Sequence, residues 1–212
     1  MATVNLWSNV DVSIQSTLAT AQTITAITLA APAVVSVAAH GYTNGDFVWL
    51  KNIQGMPELS NRLFRVANST TGTFELEGSD TSALQPFVSG SVELANFNTN
   101  INTITDVSSS GGDFDFIDTT TIHDDIKKEV PGAASALKYE FDNIWDVDDA
   151  GLKAMKAASD VKAQRAIKFV FPTGKIMVFG GYIGASLIPS GSAQDKVTTK
   201  TTVTASGSPT YY

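Results

Sequence analysis

The 212 residues include no cysteine, which excludes disulfide scaffolds, cysteine nucleophiles and thiolate metal sites. The chain carries 21 acidic against 14 basic side chains, a formal net charge of −7, where nucleic-acid readers present a basic patch that displaces counterions from phosphates. Charged residues make up only 17% while Ser and Thr supply about a fifth, so the solvated surface is hydroxyl-rich and the composition favours strands over helices.

In chain order, the N-terminus lacks a basic region followed by an apolar run, so no export signal is expected. Residues 10–14 alternate, with Val10, Val12 and Ile14 on one face of a strand. The most apolar stretch, 24–39, is interrupted by Thr25, Thr28, Pro32 and Ser36. It falls short of the ~20 residues that span a bilayer, so a soluble protein without membrane insertion is expected. From 31 to 95 short strands follow closely: 33–37, then a turn at Asn44-Gly45, a continuous apolar strand at 47–50, and alternating runs at 64–66 and 73–77. That spacing describes a compact all-β module of about 65 residues.

Beyond Asn96 longer strands return, at 102–107, 114–116, 137–141, 166–171, 175–179 and 197–204. Residues 108–112, Ser-Ser-Ser-Gly-Gly, read as a hairpin tip or mobile loop. One helix is expected, at 150–158, capped by Asp148 or Asp149 and burying Leu152 and Met155. In the last strand Val197, Thr199, Thr201 and Val203 share one face and Thr198, Lys200, Thr202 and Thr204 the other.

Chemistry-bearing clusters are sparse. His40 and His123 are the only histidines, and neither sits in a hydrolase motif. The acids from Asp146 to Asp149 resemble a calcium loop but place Ala150 and Ala157 where ligands belong, so they read as helix caps. Gly180, Gly181 and Gly184 follow a strand without a helix behind them to receive a phosphate. No catalytic residue, cofactor or metal site is expected. Function is expected to lie in assembly.

The ordered C-terminal pattern carries a resemblance. Residues 165–183 run as a strand ending in Phe171-Pro172, a turn at Gly174, a second strand and then Gly180-Gly-Tyr182. A capped helix precedes them and a Val/Thr strand follows. This order resembles the tail tube proteins of lambda-like phages with long non-contractile tails. Residues 32–76 are similar to a small β module of phage structural proteins, named after the first catalytic-cysteine half-domain of ubiquitin-activating enzymes. With no cysteine, no ubiquitin chemistry follows.

The resemblance implies an all-β tail tube core, sandwich- or barrel-forming with one flanking α-helix, from residues 1–30 and 96–212. The module at 31–95 is inserted, on the outer surface. It further implies a structural virion protein whose hexameric rings stack into a hollow tube that conducts DNA. The implied partners are other copies of the chain, a tail terminator, a tape measure and tail tip proteins, with double-stranded DNA passing non-specifically. Assembly in the bacterial cytoplasm and residence in the virion tail complete that picture.

On this reading Ile167, Phe169, Phe171, Met177, Phe179 and Tyr182, with Leu152 and Met155, form the subunit interface. Ring stacking uses flexible segments, among them Ser108, Ser109, Ser110, Gly111 and Gly112 and the N-terminal strand. The module is expected to be dispensable for the tube. A carbohydrate- or receptor-binding β module with exposed Tyr42 and Trp49 is the alternative; a hydrolase is a third.

Overall fold

The computed structural model describes residues 7–212, so the part of the expected core at 1–6 lies outside the described residues. The first half of the chain supplies β1 (Asp11–Ile14), β2 (Gln22–Thr23), β3 (Ala26–Ile27), β4 (Ala33–Ser36), β5 (Phe47–Gln54), β6 (Arg62–Ala67), β7 (Thr73–Leu76), β8 (Ser89–Leu94) and β9 (Thr99–Asn100). The second half supplies β10 (Ile104–Ser110), β11 (Phe114–Asp118), β12 (Glu129–Ala134), β13 (Lys138–Ile144), α1 (Ala150–Asp160), β14 (Gln164–Val170), β15 (Ile176–Ala185), β16 (Thr198–Ala205) and β17 (Thr210–Tyr211). The fold is all-β with one α-helix. Among the described residues no helix is long and apolar enough to cross a membrane.

Two bodies result. The larger is an antiparallel sheet in the order β10-β13-β16-β15-β14-β1-β9, with β17 alongside β15. The smaller follows the order β2-β8-β5-β6-β7-β4-β3. Its two ends, β2 and β3, are consecutive parts of one bent strand. Ile24 N donates to Gly90 O and Thr25 N to Ser36 O, at 3.1 and 2.9 Å, which carries both ladders through the bend. The sheet therefore closes into a small barrel without a free edge, around Val35, Leu50, Phe74 and Leu76. Residues 22–27, placed with the larger body by the sequence, pair into this barrel instead.

The helix rests on the inner face of the larger sheet. Asp149 caps it, its carboxylate accepting from Leu152 N at 2.8 Å. Leu152, Met155 and Ala158 are fully buried, and a Cβ on Gly151 would come within 2.6 Å of the Ile101 backbone, so only glycine permits this approach. Beside the helix Tyr139, Phe141, Phe169 and Phe179 form an aromatic cluster, with Tyr139 stacked on Phe179 at 4.5 Å.

Strands β14 and β15 are covered on both faces. Ile167, Phe169, Met177 and Phe179 point into the helix-side core, whereas Ala166 and Val178 point into a seam shared with Phe47, Trp49 and Leu63 of the barrel. This explains their near-continuous apolar sequence, the pattern of a strand buried on two sides. Trp49 is fully buried there, its ring lying where a Cβ on Gly180 would sit, 2.2 Å away.

The C-terminus straps the two bodies together. β17 pairs with β15, Thr210 Oγ1 donates to Leu63 O at 2.6 Å, and the Tyr212 hydroxyl accepts from Arg65 N at 2.8 Å. Burial raises the Tyr212 phenol above its ordinary pKa. Trp49 is buried in this seam and Tyr42 in the barrel's own core, so neither is exposed as the receptor-binding alternative requires, and the barrel packs directly against β14 and β15. Removing 31–95 would uncover Ala166, Val178 and the bed of Trp49.

Trp49→Ala should therefore cost about 3–5 kcal/mol, as for other large core truncations. Gly180→Val should be destabilising through overpacking, by about 1–3 kcal/mol or more. Denaturant unfolding of each variant measures this; wild-type midpoints would show that the seam contributes nothing.

Candidate assembly interface

On the larger sheet the outer face is set by register. Along β16, Thr199, Thr201 and Val203 are buried and Lys200 is exposed, with Thr198, Thr202 and Thr204 half-buried on Lys200's side. Pairing places Thr202 between Glu140 and Gly184, and Thr204 between Lys138 and Tyr182. Lys200 meets Asp142 at 3.3 Å. On β10, Ser108 and Ser110 lie opposite Glu140 and Lys138, and Asp106 opposite Asp142. The result is a broad polar surface of hydroxyls on which two lysines face three carboxylates. Beneath it Asn143 Nδ2 donates to Thr201 Oγ1 and Phe141 O, both at 3.1 Å, so the buried polar row is held internally.

This sheet, unlike the barrel, is open at both ends. Among the described residues β10 pairs only with β13, and β9 with Ile101 behind it covers only Val12, Ser13 and Ile14 of β1. Between the two ends runs a groove of about 270 Å³, walled by Trp7, Val10, Val12, Ile101, Ile104 and Val107. Trp7 is held against Phe169 and Phe171 at ring distances of 6.1 and 5.8 Å. Asp11, Asn100, Asn102, Thr105 and Asp106 complete the groove's walls, and an open edge beside such a groove is a template for another strand.

The second unpartnered feature is a ribbon. Among the described residues β11 and β12 pair only with each other, and nearly every residue of both is exposed. Phe114, Phe116, Ile117 and Val130 project from its shaft, and Ile122 and Ile126, 96% and 77% exposed, from its tip. An isolated two-stranded hairpin is marginal in water, so such a ribbon gains its order from something it touches. Pro131 and Gly132 hid β12 from sequence reasoning, since both disfavour strands; both are tolerated in a ribbon that has two edges and no centre.

The residues expected at the subunit interface divide sharply. Ile167, Phe169, Met177, Phe179, Leu152 and Met155 are buried in the chain's own core and offer no surface to a neighbour. Phe171 is half-buried, and Tyr182 is 52% exposed on the outer polar face. The error has a physical source: apolar alternation marks burial without saying which chain provides the cover. Ser108, Ser109 and Ser110 are the exposed end of β10, and Gly111 and Gly112, at φ of 82° and 88°, bend the chain into the ribbon. The expected tip is thus the ribbon's base.

Among the described residues no cluster of His, Asp or Glu could hold a metal ion. His40 is a core residue, stacked on Tyr42 at 4.9 Å, its Nδ1 accepting from Tyr42 N at 3.0 Å. Burial, with Glu93 nearby, pushes the Tyr42 phenol up to about 12. His123 sits exposed at the ribbon tip. Asp146 accepts from Asp148 N at 2.8 Å, closing the turn that leads into the helix.

A sheet open at two edges, a polar outer face and a free apolar ribbon describe a subunit built to meet copies of itself. Comparison agrees: the profile of the phage tail tube protein family matches residues 54–212, and the chain belongs to that family. No curated protein matches it. It is therefore a structural, non-enzymatic component of a virion tail that self-assembles into a tube. The match begins at the last residue of β5, so it takes in part of the barrel as well as the larger sheet from β9 onward.

Replacing 113–134 by a short Gly linker should leave monomer stability unchanged and abolish tube growth. Thermal unfolding and sedimentation read the two effects separately, and tubes of ordinary length from the shortened chain would remove the ribbon from the assembly.

Proposed function

We propose that the subunits form hexameric rings in which the β10 edge of one copy pairs with the β1/β9 edge of the next, and that the rings stack into the hollow tube through which phage DNA leaves the virion. The observation that carries this is the contrast in edges: the barrel is closed, while the larger sheet ends in two strands that, among the described residues, have no neighbour on their outer side. On this reading the face bearing Lys138, Glu140, Asp142, Lys200, Thr202 and Thr204 lines the lumen. The barrel, with the fold likened to the ubiquitin-activating half-domain, packs on this same face of the sheet, over Val178 and Gly180, beside the polar surface.

The chemistry of that face suits passage. Each cation that neutralises a phosphate adds affinity by releasing counterions, and a conduit works by not holding its cargo. Hydroxyls hydrate the wall, Lys200 is paired with Asp142, and the face carries three carboxylates to two lysines. Ring assembly takes place in the host cytoplasm, with a terminator, a tape measure and tip proteins bounding the tube. The receptor-binding alternative loses its anchors, because Trp49 and Tyr42 are buried.

Electron microscopy of the purified chain tests this, and six-fold stacked rings are expected. A chain that stays monomeric at high concentration contradicts it. Glu140→Lys with Asp142→Lys should turn the lumen adhesive, so that assembled tubes retain DNA with a salt dependence steeper by about one to two in log–log slope than wild type. Equal retention would place this face elsewhere.

A further inference from the structure

A cleft of about 490 Å³ opens where the barrel meets the C-terminal strand. Leu59, Phe64, Pro209 and Tyr211 supply its apolar walls. Two arginines enter it with different fates. Arg65 is neutralised: Nε and Nη2 hold both oxygens of Glu77 at 2.5 Å, and its guanidinium lies 4.7 Å from the Tyr212 ring centre. The salt bridge keeps the Glu77 carboxyl below its ordinary range.

Among the described residues no carboxylate pairs with Arg62. Its guanidinium lies over the Phe64 ring at 5.1 Å and Nη1 reaches only the Glu58 carbonyl, at 3.5 Å. Nε is buried with no acceptor. An uncompensated half-buried cation is costly, and in a chain of net charge −7 carboxylates are in excess. Asp80 at the rim is engaged by Ser82, whose N and Oγ both donate to it.

The ribbon tip has the complementary defect. Asp124 is paired with Lys128, and Asp118 and Glu129 with Lys127. Asp125, exposed between Ile122 and Ile126, is in no ion pair among the described residues. The tip thus carries a free carboxylate flanked by two bare aliphatic side chains. The cleft carries a free guanidinium flanked by apolar walls.

We propose that the ribbon tip of one copy inserts into this cleft on a second copy, Asp125 pairing with Arg62 while Ile122 or Ile126 fills the apolar walls. This rests on the tube reading and names the surface that receives the ribbon. Arg62 and Asp125 are opposite in charge, apolar side chains flank both, and among the described residues neither is in an ion pair.

Asp125→Lys sits on an exposed loop and leaves the fold intact, so it tests the pairing without a folding artefact. Tube elongation, followed by light scattering, should slow at least about tenfold. Arg62→Glu should do the same, and the double charge reversal should restore growth. Because the chain has no cysteine, Asp80→Cys and Ile126→Cys can be placed on separate copies and mixed. A disulfide-linked dimer should then form during assembly. Wild-type growth of Asp125→Lys, failure of the double variant to recover, or tubes without the cross-link each overturn the docking while leaving the tube intact. Wild-type protein that never assembles overturns both.

Discussion

Backbone N–H and C=O groups demand partners, and in a β protein the edge of a sheet is where they go without. This chain resolves the demand in two opposite ways. The barrel bends one strand through Ile24 and Thr25 so that it serves both ends of its sheet. Among the described residues the larger sheet has no such strand: β9 and Ile101 cover three residues of β1, and no strand covers the outer side of β10. The proposed ring pairing rests on that contrast between an open body and a closed one.

The seam between the bodies fixes how that opening is presented. Trp49 beds on Gly180, and the C-terminal residues stitch β15 to β6 through Thr210 and Tyr212. Both faces of β14 and β15 are covered, one by the helix-side core and the other by the barrel. β10, the β1 end and the ribbon are the parts left uncovered among the described residues, and the proposed contacts between copies use them.

Much of this architecture is legible in the residues. The alternation of Thr199, Thr201 and Val203 against Lys200 and Thr202 gave the correct inner and outer faces, and the Ala-Leu-Met-Lys run with its Asp cap gave the helix. The site is less legible. Phe169 and Phe179 are apolar because the chain buries them, and the same letters would serve at an interface between copies. The sequence signal for the ribbon lay elsewhere, in Ile122 and Ile126 standing among Thr and Asp where a solvated loop should carry no aliphatics. The free edge has no residue signature, because it is a property of pairing that appears only when all strands are placed.

Hydrogen exchange on the amides of β10, compared between monomer and assembled tube, tests the central claim most directly. Strand pairing between copies predicts strong new protection across residues 104–110 on assembly, with the barrel strands changing little. Protection gained only within residues 33–94, with β10 exchanging as fast in the tube as in the monomer, would contradict it.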